Sequence, residues 1–203
     1  MTTRVVVEGV WGSNIDRFVK SLISEGRFDE VAFTQAPSPF FGIRGWTKSF
    51  NQALNTWRKS YETESILYYR TVWSAYPYAK NFSSNEGLDK DERELFKSMT
   101  ESVEELLELP DVIIYCHSTP KEAIKNLEQE DSICALLGEE KLKDISISMI
   151  EWLDDMKRKG VTILELPPQA PFMDYETWYR FAIKEMIRLF TTDELFSTTF
   201  GEA

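Results

Sequence analysis

Apolar positions along the chain follow two different periods. Short continuous runs, Arg4 to Glu8 (RVVVE), Glu30 to Thr34, Ser65 to Tyr69 (SILYY), Val112 to Cys116 (VIIYC) and Thr162 to Leu166 (TILEL), read as β-strands. The β-branched run before Gly9 and the unbroken run at Val112 are what strands covered on both faces of a parallel sheet require. Between the strands the spacing changes to three and four. Ile15, Phe18, Val19, Leu22 and Ile23 share one face of a helix predicted over Ile15 to Ser24, and Trp46, Phe50, Ala53, Leu54 and Trp57 do so over Trp46 to Tyr61. Val72 to Phe82 is predicted helical in part, with Pro77 starting, ending or kinking it. Leu88 to Leu109 is a long amphipathic helix with Asp89 as N-cap and Pro110 as its stop. Pro120 to Leu127 opens with a proline where the first turn tolerates one, Glu140 to Lys159 ends at Gly160, and Tyr175 to Phe190 carries Trp178, Phe181, Ala182, Ile187 and Leu189 for packing.

Strands alternating with helices imply right-handed crossovers and an α/β fold, a five-stranded parallel sheet flanked by helices. One domain is expected over residues 1–203, with Thr191 to Ala203 a loosely ordered tail and Gln35 to Gly45 a loop broken by Pro and Gly. Such folds bind ligands at the carboxyl ends of their strands. The stretches to search are therefore Gly9 to Asp16, Gln35 to Gly45, Tyr69 to Ser74, His117 to Pro120 and the region around Glu128.

Composition narrows the chemistry. The net charge of -11, from 23 Lys and Arg against 34 Asp and Glu, works against direct nucleic-acid binding, which depends on cations displacing counterions from phosphates. The same charge permits a basic protein partner. No apolar run is long enough to span a bilayer and no basic-then-apolar leader opens the chain, so an intracellular, cytoplasmic protein is expected. Cys116 and Cys134 show neither disulfide nor zinc spacing, in keeping with a reducing compartment. A single histidine, His117, rules out a multi-histidine metal site, and its simplest role is structural, at a strand end.

The segments VVVEGVWGSN, then a Pro-containing loop and a Trp-rich helix, then YYRTVWSAYPYAKNF, then PDVIIYCHSTPKEAI, resemble in order and spacing the deoxynucleoside kinases, relatives of the thymidylate kinases. The resemblance runs from about Val5 to Leu166. It implies a three-layer P-loop kinase fold, ATP and magnesium on one side of the sheet end, a deoxynucleoside on the other, and transfer of a γ-phosphoryl group to a sugar hydroxyl by positioning and charge neutralisation. It also implies a homodimer, for which the aromatic segments Trp46 to Tyr61 and Trp73 to Phe82 would suit an interface.

The residues that neutralise charge in that family are missing here. With Gly9 as the first glycine of GxxxxGK[ST], the positions for Gly, Lys and Ser or Thr hold Asn14, Ile15 and Asp16; the intervening loop contains Gly12 and Ser13. An alkyl group stands where a lysine would reach the phosphates, and a carboxylate where a hydroxyl would bind magnesium. Since a helix N-terminus favours negative charge, Asp16 is expected to fill the phosphate's place and bond the loop N-H groups. Downstream, the acid-proline pair of the family's general base becomes Gln35-Ala36-Pro37, the acid-Arg-Ser motif becomes Tyr69-Arg70-Thr71, and the arginine lid becomes Leu127-Glu128-Gln129-Glu130-Asp131.

The combined losses point to a pseudokinase acting as a binding or regulatory module, with no catalytic residue, metal or cofactor expected. Its ligand would be a protein, or a nucleoside or nucleotide in the old acceptor pocket, where Gln52 takes the place of a base-reading glutamine beside Trp46, Trp57, Arg70 and Tyr78. The first alternative is a divergent nucleoside or nucleoside monophosphate kinase using ATP and Mg, with charge supplied by Arg17, Lys20 or a catalytic Arg70. The second is an acidic inhibitor of a nucleic-acid-binding protein, presenting Asp89, Asp91, Glu92, Glu101, Glu104, Glu105 and Glu108 on the long helix.

Overall fold

The computed structural model describes residues 3–26, 30–33, 42–59, 65–69, 71–84, 88–130 and 132–192. Five strands, β1 (Thr3–Glu8), β2 (Glu30–Phe33), β3 (Ser65–Tyr69), β4 (Val112–Cys116) and β5 (Thr162–Leu166), form one sheet in the order β2-β3-β1-β4-β5. Every pairing is parallel; Val7 of β1 lies beside Tyr69 of β3 on one side and Ile114 of β4 on the other. The helices are α1 (Ile15–Ser24), α2 (Gly42–Lys59), α3 (Ala75–Ala79), α4 (Lys90–Leu106), α5 (Pro120–Gln129), α6 (Gly138–Arg158) and α7 (Tyr175–Thr192). The predicted α/β fold, helices flanking a parallel sheet, is the fold observed.

The period of two in β1 and β4 sorts their side chains onto opposite faces. Val5, Val7, Val112, Ile114 and Cys116 join α1 and α7 in one core, through Ile15, Phe18, Trp178 and Ala182. Val6, Ile113 and Tyr115 join α2, α3, α4 and α6 in the other, which holds Trp11, Trp46, Trp57, Trp73 and Trp152. Burial pushes the Cys116 thiol well above its ordinary range, so it stays neutral and inert.

Element limits differ from the sequence reading at several ends. Helix α2 starts at Gly42, inside the segment read as a loop to Gly45, and α5 runs on to Gln129, taking in Glu128 of the acidic stretch. Pro77 lies within the first turn of α3, where its missing N-H leaves no bond unmade. Asp89 caps α4 as predicted: its carboxylate accepts from the Glu92 amide at 2.8 Å, and Glu92 returns a bond to the Asp89 amide. On α7, Trp178 and Ala182 are buried, whereas Phe181 and Ile187, read as packing residues, stand exposed at the rim of that core. Among the described residues no helix is long and apolar enough to cross a membrane, and no cluster of His, Cys, Asp or Glu could hold a metal ion.

Candidate functional site

The turn that leaves β1 sits at the carboxyl edge of the sheet and packs inward. Gly9 has no room for a side chain, because a Cβ there would lie 2.6 Å from the Cys116 carbonyl and 2.7 Å from the Ser13 hydroxyl. Val10 and Trp11 are buried, and Trp11 packs at 4.6 Å from Tyr78, 6.1 Å from Phe82 and 6.5 Å from Trp46 between ring centroids. The Ser13 hydroxyl donates back to the Val10 carbonyl at 2.7 Å, and the Ser13 amide donates to the same oxygen at 3.1 Å. The Tyr78 hydroxyl donates to the Gly9 carbonyl.

Helix α5 holds the turn from outside. Gly12 adopts a φ of +77°, and a Cβ there would overlap the Ala123 carbonyl and lie 2.8 Å from Leu127 Cγ. The Asn126 side-chain amide donates to the Gly12 carbonyl at 2.8 Å. This contact depends on a well-started α5, whose Thr119 hydroxyl accepts from the Glu122 amide while the Glu122 carboxylate accepts from the Thr119 amide. Removing that cap in Thr119→Ala is expected to cost about 1 kcal/mol in urea unfolding, with retention of full stability arguing that α5 is held by packing alone.

Ile15, in the position of the phosphate-binding lysine, is fully buried in the core between the sheet, α1 and α7. Asp16 does not plug the loop. Its residue is exposed on the first turn of α1 and makes no hydrogen bond or ion pair among the described residues, so the loop is closed by Ser13 and by α5 instead. The physical reason is register: Ile15 is drawn into the core, which turns the next residue outward. Asn14 donates to Gln169 Oε1 at 3.1 Å, and Gln169 donates onward to the Met173 carbonyl at 2.6 Å.

The residues expected to form a nucleoside pocket separate. Trp46, Trp57 and Tyr78 are core: Trp46 lies 5.5 Å from Phe82 and 5.9 Å from Phe96, and Trp57 lies 4.3 Å from Trp73, between ring centroids. Gln52 is exposed on α2. Arg70 lies outside the described residues, as do Gln35, Ala36, Pro37 and Asp131. Thr71 survives as a structural hydroxyl: it and its amide donate to Glu8 Oε1, a buried carboxylate at the end of β1, at 3.1 and 2.7 Å. Of the cations offered as substitutes, the Arg17 guanidinium stacks 3.7 Å over the Tyr175 ring, and Lys20 is exposed on α1.

A cavity of about 170 Å³ does open at the ends of β4 and β5, lined by Asn14, His117, Lys125, Asn126 and Gln169 among others. His117 Nε2 and Glu165 Oε2 are 2.7 Å apart at its edge. The sequence reading missed Lys125, Asn126 and Gln169, because Lys125 and Asn126 fall in a helix assigned by periodicity and Gln169 in a loop with no recognisable motif. Their signal was the position of both segments after strands whose carboxyl ends meet.

No family model and no curated protein matches the chain. Solved structures do. Deoxyadenosine kinase from M. mycoides with bound dATP superposes with a TM-score of 0.73 at 14% identity, covering 91% of this chain and 99% of that one. The same kinase with products dCMP and a flexible dCDP bound gives a TM-score of 0.70 at 14% identity, covering 91% of this chain and 98% of that one. At that identity the likeness establishes a shared fold.

Proposed function

We propose that this chain is a deoxynucleoside-kinase-like binding module that has lost phosphoryl transfer, and that it takes a nucleoside-like ligand rather than a nucleoside triphosphate. The observation that carries the reading is the closed turn after β1: Ile15 lies in the core, the Ser13 hydroxyl bonds within the turn, and Gly12 is pressed against α5. Phosphoryl transfer needs a lysine and backbone N-H groups around the β and γ phosphates together with a magnesium-binding hydroxyl. Here the space between Gly9 and Ile15 is taken up by the Ser13 side chain.

The cavity beside Asn14 supports the ligand class. Its lining offers amides, an imidazole, one ammonium, Lys125, and the Glu122 carboxylate. That set suits the polar edge of a heterocyclic base, whereas a polyphosphate would meet a single cation there. The shared fold with a kinase whose structures hold dATP or dCMP supports a ligand that contains a nucleoside, at the level of fold alone.

The competing reading is an active, divergent kinase, with Lys125 as the cation the loop lacks. Calorimetric titration with each of the four deoxynucleosides and with ATP-Mg, beside a radiolabelled phosphate-transfer assay, separates the two. Expected are saturable heats with at least one nucleoside, lost in Lys125→Ala or Asn126→Ala, and no labelled product. Turnover that disappears in Lys125→Ala or Arg70→Ala would overturn the reading.

A further inference from the structure

The amide side chains around the cavity at the ends of β4 and β5 have a fixed polarity. Main-chain carbonyls only accept, so it is the nitrogen of Asn126 that meets the Gly12 oxygen at 2.8 Å and the nitrogen of Gln169 that meets the Met173 oxygen at 2.6 Å. Gln169 is then left with Oε1 for Asn14, whose nitrogen donates to it at 3.1 Å. Asn14 precedes α1 but makes no capping bond with its side chain, so the helix start does not claim its oxygen. Asn14 Oδ1 and Asn126 Oδ1 accept no hydrogen bond among the described residues, and both half-buried residues line the cavity.

The charged and donor groups nearby are partly spent. Glu122 Oε2 accepts from the Thr119 amide at 3.1 Å and from its hydroxyl at 2.8 Å, and His117 Nε2 lies 2.7 Å from Glu165 Oε2. Lys125 makes no hydrogen bond or ion pair among the described residues. Two neutral amide oxygens and one ammonium are thus left for a ligand.

We propose that this cavity selects a nucleobase that carries an exocyclic amino group, and that Asn14 and Asn126 are the residues that read it. This selectivity rests on the nucleoside reading above and narrows it. An amino group donates N-H bonds to amide oxygens, and the unprotonated ring nitrogen beside it in adenine or cytosine accepts from an ammonium. The oxo counterparts, hypoxanthine and uracil, carry a carbonyl oxygen in place of the amino group and a proton on that ring nitrogen. Their lone pairs then face the amide oxygens, and their ring N-H faces Lys125. Turning either amide over to present nitrogen instead would break the bond to Gln169 or to Gly12. Asn14 stands at the second glycine of GxxxxGK[ST], so its side chain is one that the phosphate-binding motif does not possess.

The test is calorimetric titration of the full chain with two matched pairs, deoxyadenosine against deoxyinosine and deoxycytidine against deoxyuridine. Each pair differs only in the exchange of amino for oxo. At least one amino member is expected to bind about tenfold more tightly than its oxo partner, the cost of setting an acceptor against an unpaired acceptor. Gln169→Ala removes the group that orients Asn14, so the amide turns over and the preference should fall about threefold or more while the amino member still binds. Asn14→Ala should reduce the preference as well; it removes no cap from α1 and leaves Gln169 bonded to Met173, so it serves even if Gln169→Ala fails to fold by circular dichroism. Equal affinities within both pairs, or tighter binding of the oxo members, would overturn the selectivity and leave the nucleoside reading standing. A preference that survives intact in a folded Asn14→Ala takes the reading of the amino group away from Asn14. No saturable heat with any of the four compounds removes the selectivity and the nucleoside reading together.

Discussion

Ile15→Lys, which puts the lysine of GxxxxGK[ST] at this position, is expected to destabilise the protein by about 4 kcal/mol or more and to confer no affinity for ATP. Ile15 has no exposed surface and packs with Val5, Val7 and Phe18 beneath α1. A lysine there loses the burial of a branched alkyl group and places an ammonium where the described core offers no carboxylate. Urea unfolding of Ile15→Lys beside Ile15→Met isolates the charge, because methionine keeps volume and apolarity and should cost under about 1.5 kcal/mol. A folded Ile15→Lys that binds ATP-Mg would mean that the loop opens readily and that the closed form is one of two accessible states.

The second large effect is expected at Gly12. Gly12→Ala should lose about 3 kcal/mol, of which about 1 to 2 kcal/mol comes from forcing an L side chain into a positive φ and the remainder from displacing α5. The nearest collision is with backbone, the Ala123 carbonyl, which cannot move aside as a side chain can, and Leu127 Cγ lies 2.8 Å from the added carbon. Gly26→Ala is the matched control, for it shares a positive φ of +64° but has nothing within 4 Å of the added carbon. Equal losses at the two positions would mean that the turn is not braced by α5. A loss at Gly12 well beyond that at Gly26, measured by denaturant unfolding, supports the brace.

Much of the architecture was readable from the sequence because it rests on periodicity. The unbroken run at Val112 to Cys116 reads as a strand covered on both sides, and the three-four spacing after Asn14 puts Ile15, Phe18, Val19, Leu22 and Ile23 on one face, of which all but Ile23 are buried. The departure of Asn14, Ile15 and Asp16 from GxxxxGK[ST] is likewise visible without coordinates. What was not readable is how the loop closes. Asp16 looked like the plug by charge, but helix register turned it to solvent, and the actual partners, Asn126 and Gln169, are more than a hundred residues away in sequence. Trp46, Trp57 and Tyr78 show the same limit: aromatic side chains that could stack on a base are indistinguishable in sequence from those that fill a core. Only their contacts with Phe82, Phe96, Trp73 and Trp11 separate the two roles.

The distribution of indoles across the sheet gives the molecule a built-in optical asymmetry. Of six tryptophans in the chain, Trp11, Trp46, Trp57, Trp73 and Trp152 sit on the face covered by α2, α3, α4 and α6, and Trp178 sits alone on the face covered by α1 and α7. Ultraviolet emission from the native chain is therefore dominated by one side of the sheet. With Trp178 as the single indole on the other side, emission of Trp178→Phe reports the α2, α3, α4 and α6 layer alone, and its difference from the native chain reports the α1 and α7 layer, without attaching a dye.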